Sequence, residues 1–245
     1  MGIESRTLTT EIPITVIIPT VEEETANLLR IRGSLKFINA NPRYRSDLVL
    51  PDDSEFAQAD ELRLASLVRE KYYNPIVYQH AQDVYNSPAV KTRIARAFPQ
   101  FSEWQQNWGF EIPEAGYEIH LTCWGLAGTA QYPGAMHIRV GADGMLIEEA
   151  DPAQMFIHEG IHDGTHQFTH PLRTRRLISS WENESIVRHL QANLTAFPEY
   201  ATRTASLLTA HPQAIDKFLA DGVRLNANLP ACLNEFLVAN NRIEK

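Results

Sequence analysis

A chain of 245 residues that is 44% hydrophobic can bury a substantial core, which excludes a disordered tether. Its formal net charge of -8, with no long Lys/Arg block to offset it, argues against a nucleic-acid partner. No apolar run approaches the 18 or so residues needed to cross a bilayer, and Met1 to Glu11 lacks the basic start and apolar centre of a signal peptide. A cytoplasmic protein with no membrane partner is expected, with export by a non-classical route left open. Cys123 and Cys232 lack CxxC spacing and are expected as buried free thiols.

In chain order, Ile12 to Ile18 has the β-rich character of a strand, and Thr20 with Glu23 opens a short helix that Gly33 can close. Periodic apolar residues predict helices from Phe56 to Val68 and from Ile76 to Val84, broken at Asn74-Pro75 and at Asn86-Ser87-Pro88. Tyr72, Tyr73, Tyr78 and Tyr85 fall at helical spacing and are expected in the core. Tyr117, Ile119, Leu121 and Cys123 alternate with polar residues, as in a strand with one buried face, and Met136, Ile138 and Val140 repeat the pattern. Trp124 to Ala135, between them, is rich in Gly and small residues and reads as a connector, so the two strands form a hairpin; a Gly141-Ala142-Asp143-Gly144 turn follows. Arg173, Arg175 and Arg176 form a small basic cluster suited to a solvated face. Ser179 and Ser180 precede a helix from about Trp181 to Ala196, and three more helical segments, broken near Pro198, Pro212 and Gly222, complete the chain. The fold class expected is α+β, mainly helical. One domain over 1–245 is expected, with 1–110 as a mixed N-terminal subdomain and 111–245 as the core that carries the site.

The chemistry concentrates in His158-Glu159-Gly160-Ile161-His162. Composition alone predicts roughly 0.03 occurrences of HExxH in such a chain, so chance is a poor explanation. Asp151-Pro152 reads as an N-cap and first helical residue, with Gln154 placed to complete a capping box. On a helix, four residues advance about 6 Å and rotate only about 40°, so both imidazoles project from one face and can share an ion. Glu159 then lies beside that face as a candidate general base. Met155, Phe156, Ile157 and Ile161 spread around the helix, as expected of one buried on most sides. Buried polar groups need partners, and a metal supplies one to each ring.

A hydrolytic zinc site needs three protein ligands and an open position. The metzincin continuation fails here, because Phe168 stands where its third histidine belongs. His166 continues the four-residue spacing, but Gly164 is placed to end the helix and send it elsewhere. Trp181-Glu182-Asn183-Glu184-Ser185 resembles the gluzincin zinc peptidases, in which a glutamate on a second helix, roughly twenty residues past the second histidine, is the third ligand. Asn183-Glu184 matches the Asn-Glu pair of those families. Helical geometry prefers Glu182, which shares its side with Ile186, His189 and Leu190, whereas Glu184 shares its side with Arg188, Gln191 and Thr195 and reads as more exposed. Both glutamates stay candidates, with Glu182 slightly preferred.

The resemblance covers about forty residues, Asp151 to Leu190, with the preceding hairpin, whose second strand would line the cleft as zincin edge strands do. It implies a zincin-like core, a zinc cofactor and hydrolysis of a peptide or protein substrate, with Glu159 as general base. Tyr132, His137, His166 and His189 are the candidates for stabilising the oxyanion. Two other readings remain: an iron-dependent peptide-modifying oxygenase using the same ligands, and a non-catalytic helical interaction protein with a structural metal site.

Overall fold

The computed structural model describes residues 12–40, 48–52, 54–126, 128–141 and 151–243. The chain is mainly helical, with one four-stranded sheet, so the α+β class holds. No helix among the described residues is long and apolar enough to cross a membrane. The expected Gly141–Gly144 turn lies outside these residues apart from Gly141.

The sheet contains β1 (Ile14–Ile17), β2 (Tyr117–Thr122), β3 (Gly128–Gln131) and β4 (Ala135–Arg139) in the order β1-β2-β4-β3. β1 and β4 both run parallel to β2, and β3 alone is antiparallel to its neighbour β4. Alternation in β2 behaves as its sequence predicts: Tyr117, Ile119 and Leu121 are buried, and Glu118 is exposed. The expected hairpin between the two apolar strands does not form. The small-residue connector itself contains β3, so the chain reverses twice and brings β4 back parallel to β2.

Helix α1 (Val21–Asn39) begins at the expected capping box, with Thr20 and Glu23 bonded reciprocally. It does not stop at Gly33. A Cβ there would meet nothing within 4 Å, and burial of Leu28, Ile31 and Ile38 carries the helix through. These residues join α2 (Ser54–Gln58) and α3 (Glu61–Leu67) in a small core of their own with Phe56, Leu64, Leu67 and Val68. Glu24 fixes α1 to the sheet: its buried carboxylate accepts from the Tyr78 hydroxyl (2.5 Å), Thr122 Oγ1 (2.9 Å) and the Cys123 N–H (3.0 Å). Helices α4 (Pro75–Asn86) and α5 (Pro88–Ala95) follow, broken at the predicted prolines, and Tyr78 and Tyr85 are buried as expected.

The main core joins the sheet to α6 (Phe98–Trp108) and to the C-terminal helices. Those are α7 (Pro152–Gly164), α8 (His166–Thr174), α9 (Ser180–Ala192), α10 (Pro198–Ala210), α11 (Asp216–Leu219), α12 (Gly222–Ala227) and α13 (Leu229–Ala239). Asp151 caps α7 by accepting from the Ala153 N–H at 3.0 Å, and it pairs with Arg93 of α5. The back of α7 rests on aromatic rings. Phe101 and Phe110 lie 4.9 Å apart, and a Cβ on Gly164 would come within 2.1 Å of the Phe110 ring. Gly164→Ala is therefore expected to destabilise by about 1–3 kcal/mol through overpacking, despite the better helix propensity of Ala. Urea unfolding measures this, and an unchanged or raised midpoint would contradict it.

Candidate metal centre

His158 and His162 project one turn apart from α7, and Glu184 faces them from the second turn of α9. Glu184 Oε1 stands 3.4 Å from His158 Nε2, and Oε2 stands 3.4 Å from His162 Nε2. All three donor atoms lie within 4.8 Å of one another. The 3.4 Å separations are long for charge-assisted hydrogen bonds, which close to about 2.7–2.9 Å. Donors at about 2.0–2.2 Å around a tetrahedral ion stand about 3.3–3.6 Å apart, and each imidazole meets one of the two carboxylate oxygens at such a separation.

The far sides of both rings support the same use of Nε2. His158 Nδ1 is 3.2 Å from Gln191 Oε1, which can only accept, so Nδ1 carries a proton and Nε2 is the nitrogen that faces Glu184. At His162, Nδ1 is 3.3 Å from Asn183 Nδ2, while the buried Asn183 Oδ1 has no partner among the described residues. Rotating that amide by half a turn, an assignment the hydrogen-bond network decides, lets Oδ1 accept from His162 Nδ1–H and removes the orphan. Each imidazole is then held by a side-chain amide oxygen, and each Nε2 is free to ligate. The residues present fit a divalent ion that takes nitrogen and oxygen donors.

Burial alone would lower the pKa of His158, but the Glu184 carboxylate outweighs it and raises it to about 9. Glu184 is likewise penalised by burial, and the two histidines hold it well below the usual carboxylate range. A metal taken up here would have to displace the His158 proton below about pH 9. Apparent zinc affinity is accordingly expected to fall by about tenfold per pH unit as the pH drops through neutrality. Chelator competition at several pH values measures it; a flat profile would show that no proton is displaced.

The preferred candidate, Glu182, is not the carboxylate that stands beside the histidines. Its carboxylate closes the capping box of α9, accepting from the Ser179 N–H at 2.7 Å, and it receives two bonds from the Arg242 guanidinium, each 2.9 Å. The helix side that reads as exposed is buried: Arg188 and Gln191 are inside, with Arg188 Nε donating to Glu184 Oε1 at 3.1 Å. A polar stripe can line an internal site as readily as it can face water. Asn183, Arg188 and Gln191 are the residues that sequence reasoning missed as contacts of the site.

Glu159 is buried beside the histidines and reaches the sheet. A Cβ on Gly128 would fall 2.4 Å from Glu159 Oε1, so the missing side chain lets β3 approach this carboxylate without displacing it. Gly128, Thr129 and Ala130 line a cleft of about 570 Å³ that also contains His158, Glu159, His162 and Glu184. The cleft-lining edge is thus β3, whereas β4, expected in that role, is paired on both sides. Helix α1 also lines the cleft, through Asn27, Arg30 and Ile31. Asp163 ties helix to sheet, accepting the Gly134 N–H at 3.0 and 3.1 Å in the turn between β3 and β4.

Of the oxyanion candidates, Tyr132, His137 and His166 line the cleft. Tyr132 stacks on His166 at 4.3 Å, and His137 stacks on His120 at 5.2 Å. His189 faces Asp216 instead, 3.2 Å away. Compared with protein-family models, curated proteins and solved structures, the chain matches none of them.

Proposed function

We propose that this protein is a zinc-dependent hydrolase of the zincin type, acting on peptide bonds. The observation that carries the reading is the convergence of His158 Nε2, His162 Nε2 and the Glu184 carboxylate, with each ring's Nδ1 held from behind by a side-chain amide. His158, His162 and Glu184 would hold the ion. Zinc bound there lowers the pKa of its water toward about 7 and polarises a substrate carbonyl.

The chain's own groups account for the remaining work. Glu159 takes a proton on its carboxylate and returns it to the leaving amine. Gln191 and Asn183 keep the two rings in the ligating tautomer. The outer edge of β3 can pair with an extended peptide, which fixes a scissile bond over Glu159 through the close approach at Gly128. The aromatic seat under α7 keeps water from the back of the ligand helix. The same donor set holds iron in oxygenases, so metal identity decides between the two chemistries. Elemental analysis of protein purified without a histidine tag, with anomalous scattering at the zinc edge, is expected to give about one zinc per chain. Iron at that stoichiometry, or no metal after zinc is supplied, would overturn the proposal.

A further inference from the structure

Arg188 lies one turn beyond Glu184 on α9 and lines the same cleft as Met155, His158 and Thr204. Its side chain is only 6% exposed. Among the described residues, its hydrogen bonding is limited to Nε, which donates to Glu184 Oε1. A guanidinium has five N–H donors and keeps its charge at any working pH. Here Nε is spent on the ligand carboxylate, and the outer edge, with two parallel N–H groups, has no acceptor among the described residues. A buried cation in that condition is held ready for an anion supplied from outside. The charges agree: among the lining residues Arg30, Arg173 and Arg188 balance Glu159, Asp163 and Glu184, so a divalent ion leaves the cleft in positive excess.

We propose that Arg188 makes the cleft selective for substrates that place a carboxylate next to the scissile bond. The planar fork of the outer edge matches a carboxylate in two-point contact. Because Nε already holds Glu184, that edge is displaced from the ligand centre by the width of the guanidinium group. It suits a neighbouring carboxylate better than an oxygen bound at the metal position itself. The carboxylate can come from the C-terminus of a peptide or from an acidic side chain. This inference rests on the metal reading above.

The test uses cobalt(II)-loaded full-length protein and thiol probes whose binding is followed by thiolate-to-cobalt charge transfer. One pair is mercaptoacetyl-glycine with a free or an amidated C-terminus; the other is mercaptoacetyl-glutamate amide against mercaptoacetyl-glutamine amide. In the wild type, the carboxylate member of at least one pair is expected to bind about tenfold or more tightly than its neutral partner. Whichever pair shows the preference identifies the source of the carboxylate. In Arg188→Met the ratio between the members of that pair is expected to fall to about one, whatever change in absolute affinity the lost bond to Glu184 brings. Arg188→Lys, which keeps the charge and loses the fork, is expected to retain part of the preference. Equal binding within both pairs in the wild type would overturn the proposal, as would a preference that survives intact in Arg188→Met. If no charge-transfer band develops with any probe, the metal reading fails, and this inference fails with it.

Discussion

Glu159→Gln is expected to lower metal-dependent peptide cleavage by at least about a hundredfold and to leave zinc in place. The glutamine keeps the size of the side chain that packs against Gly128, so β3 and α7 hold their spacing and only the proton acceptor is lost. The measurement is a peptide-library digest by wild type and variant, with zinc content determined on the same samples. Cleavage by the wild type should stop on chelation. A variant that cleaves at the wild-type rate would remove Glu159 from the chemistry, and one that also loses zinc would make its role structural.

The second large effect separates two carboxylates two residues apart. Glu184→Gln is expected to weaken zinc binding by more than the 10–100-fold typical of residues that only support a ligand, and the double variant His158→Ala, His162→Ala should bind none. Glu182→Gln should leave zinc affinity near the wild-type value. It should instead cost about 2 kcal/mol of folding stability, because it breaks the helix cap and the pair with Arg242. Burial raises the Glu182 pKa, but bonds from Arg242 and Ser179 outweigh this and leave it depressed. Its contribution to stability is therefore fully present above the ordinary carboxylate value and is lost as the pH falls through the lower folded value. Competition with a chromogenic chelator, alongside urea unfolding at two pH values, reads both arms. Zinc loss in Glu182→Gln without loss in Glu184→Gln would reverse the assignment.

Local signals carried much of this architecture. Asp151-Pro152, Ser179 and Thr20 with Glu23 mark helix starts because a cap needs only neighbours in sequence. The pair His158 and His162 is equally local, since one turn of helix brings the rings together. What could not be read depends on partners distant in the chain. Gly128 to Gln131 has neither apolar alternation nor bulk, and it is a strand because β4 supplies the ladder. The choice between Glu182 and Glu184 depended on Arg242, sixty positions away, which takes up the former. Arg188 and Gln191 looked solvated because hydrophobic patterning treats an internal polar site as an outer surface. Two long polar side chains on the side of a helix that also carries a candidate ligand were the available signal.

Asp163 follows His162 on α7, and its buried carboxylate receives the Gly134 N–H at the turn between β3 and β4. The helix bearing two of the donors is thereby also the datum from which the edge strand hangs. Helix α1, which also lines the cleft, packs largely into a separate small core but is pinned to the end of β2 by Glu24 and Asn27. Ligand helix, edge strand and α1 are therefore referred to one sheet, so the distance from a backbone on β3 to the Glu159 carboxylate and the width of the cleft share a common frame.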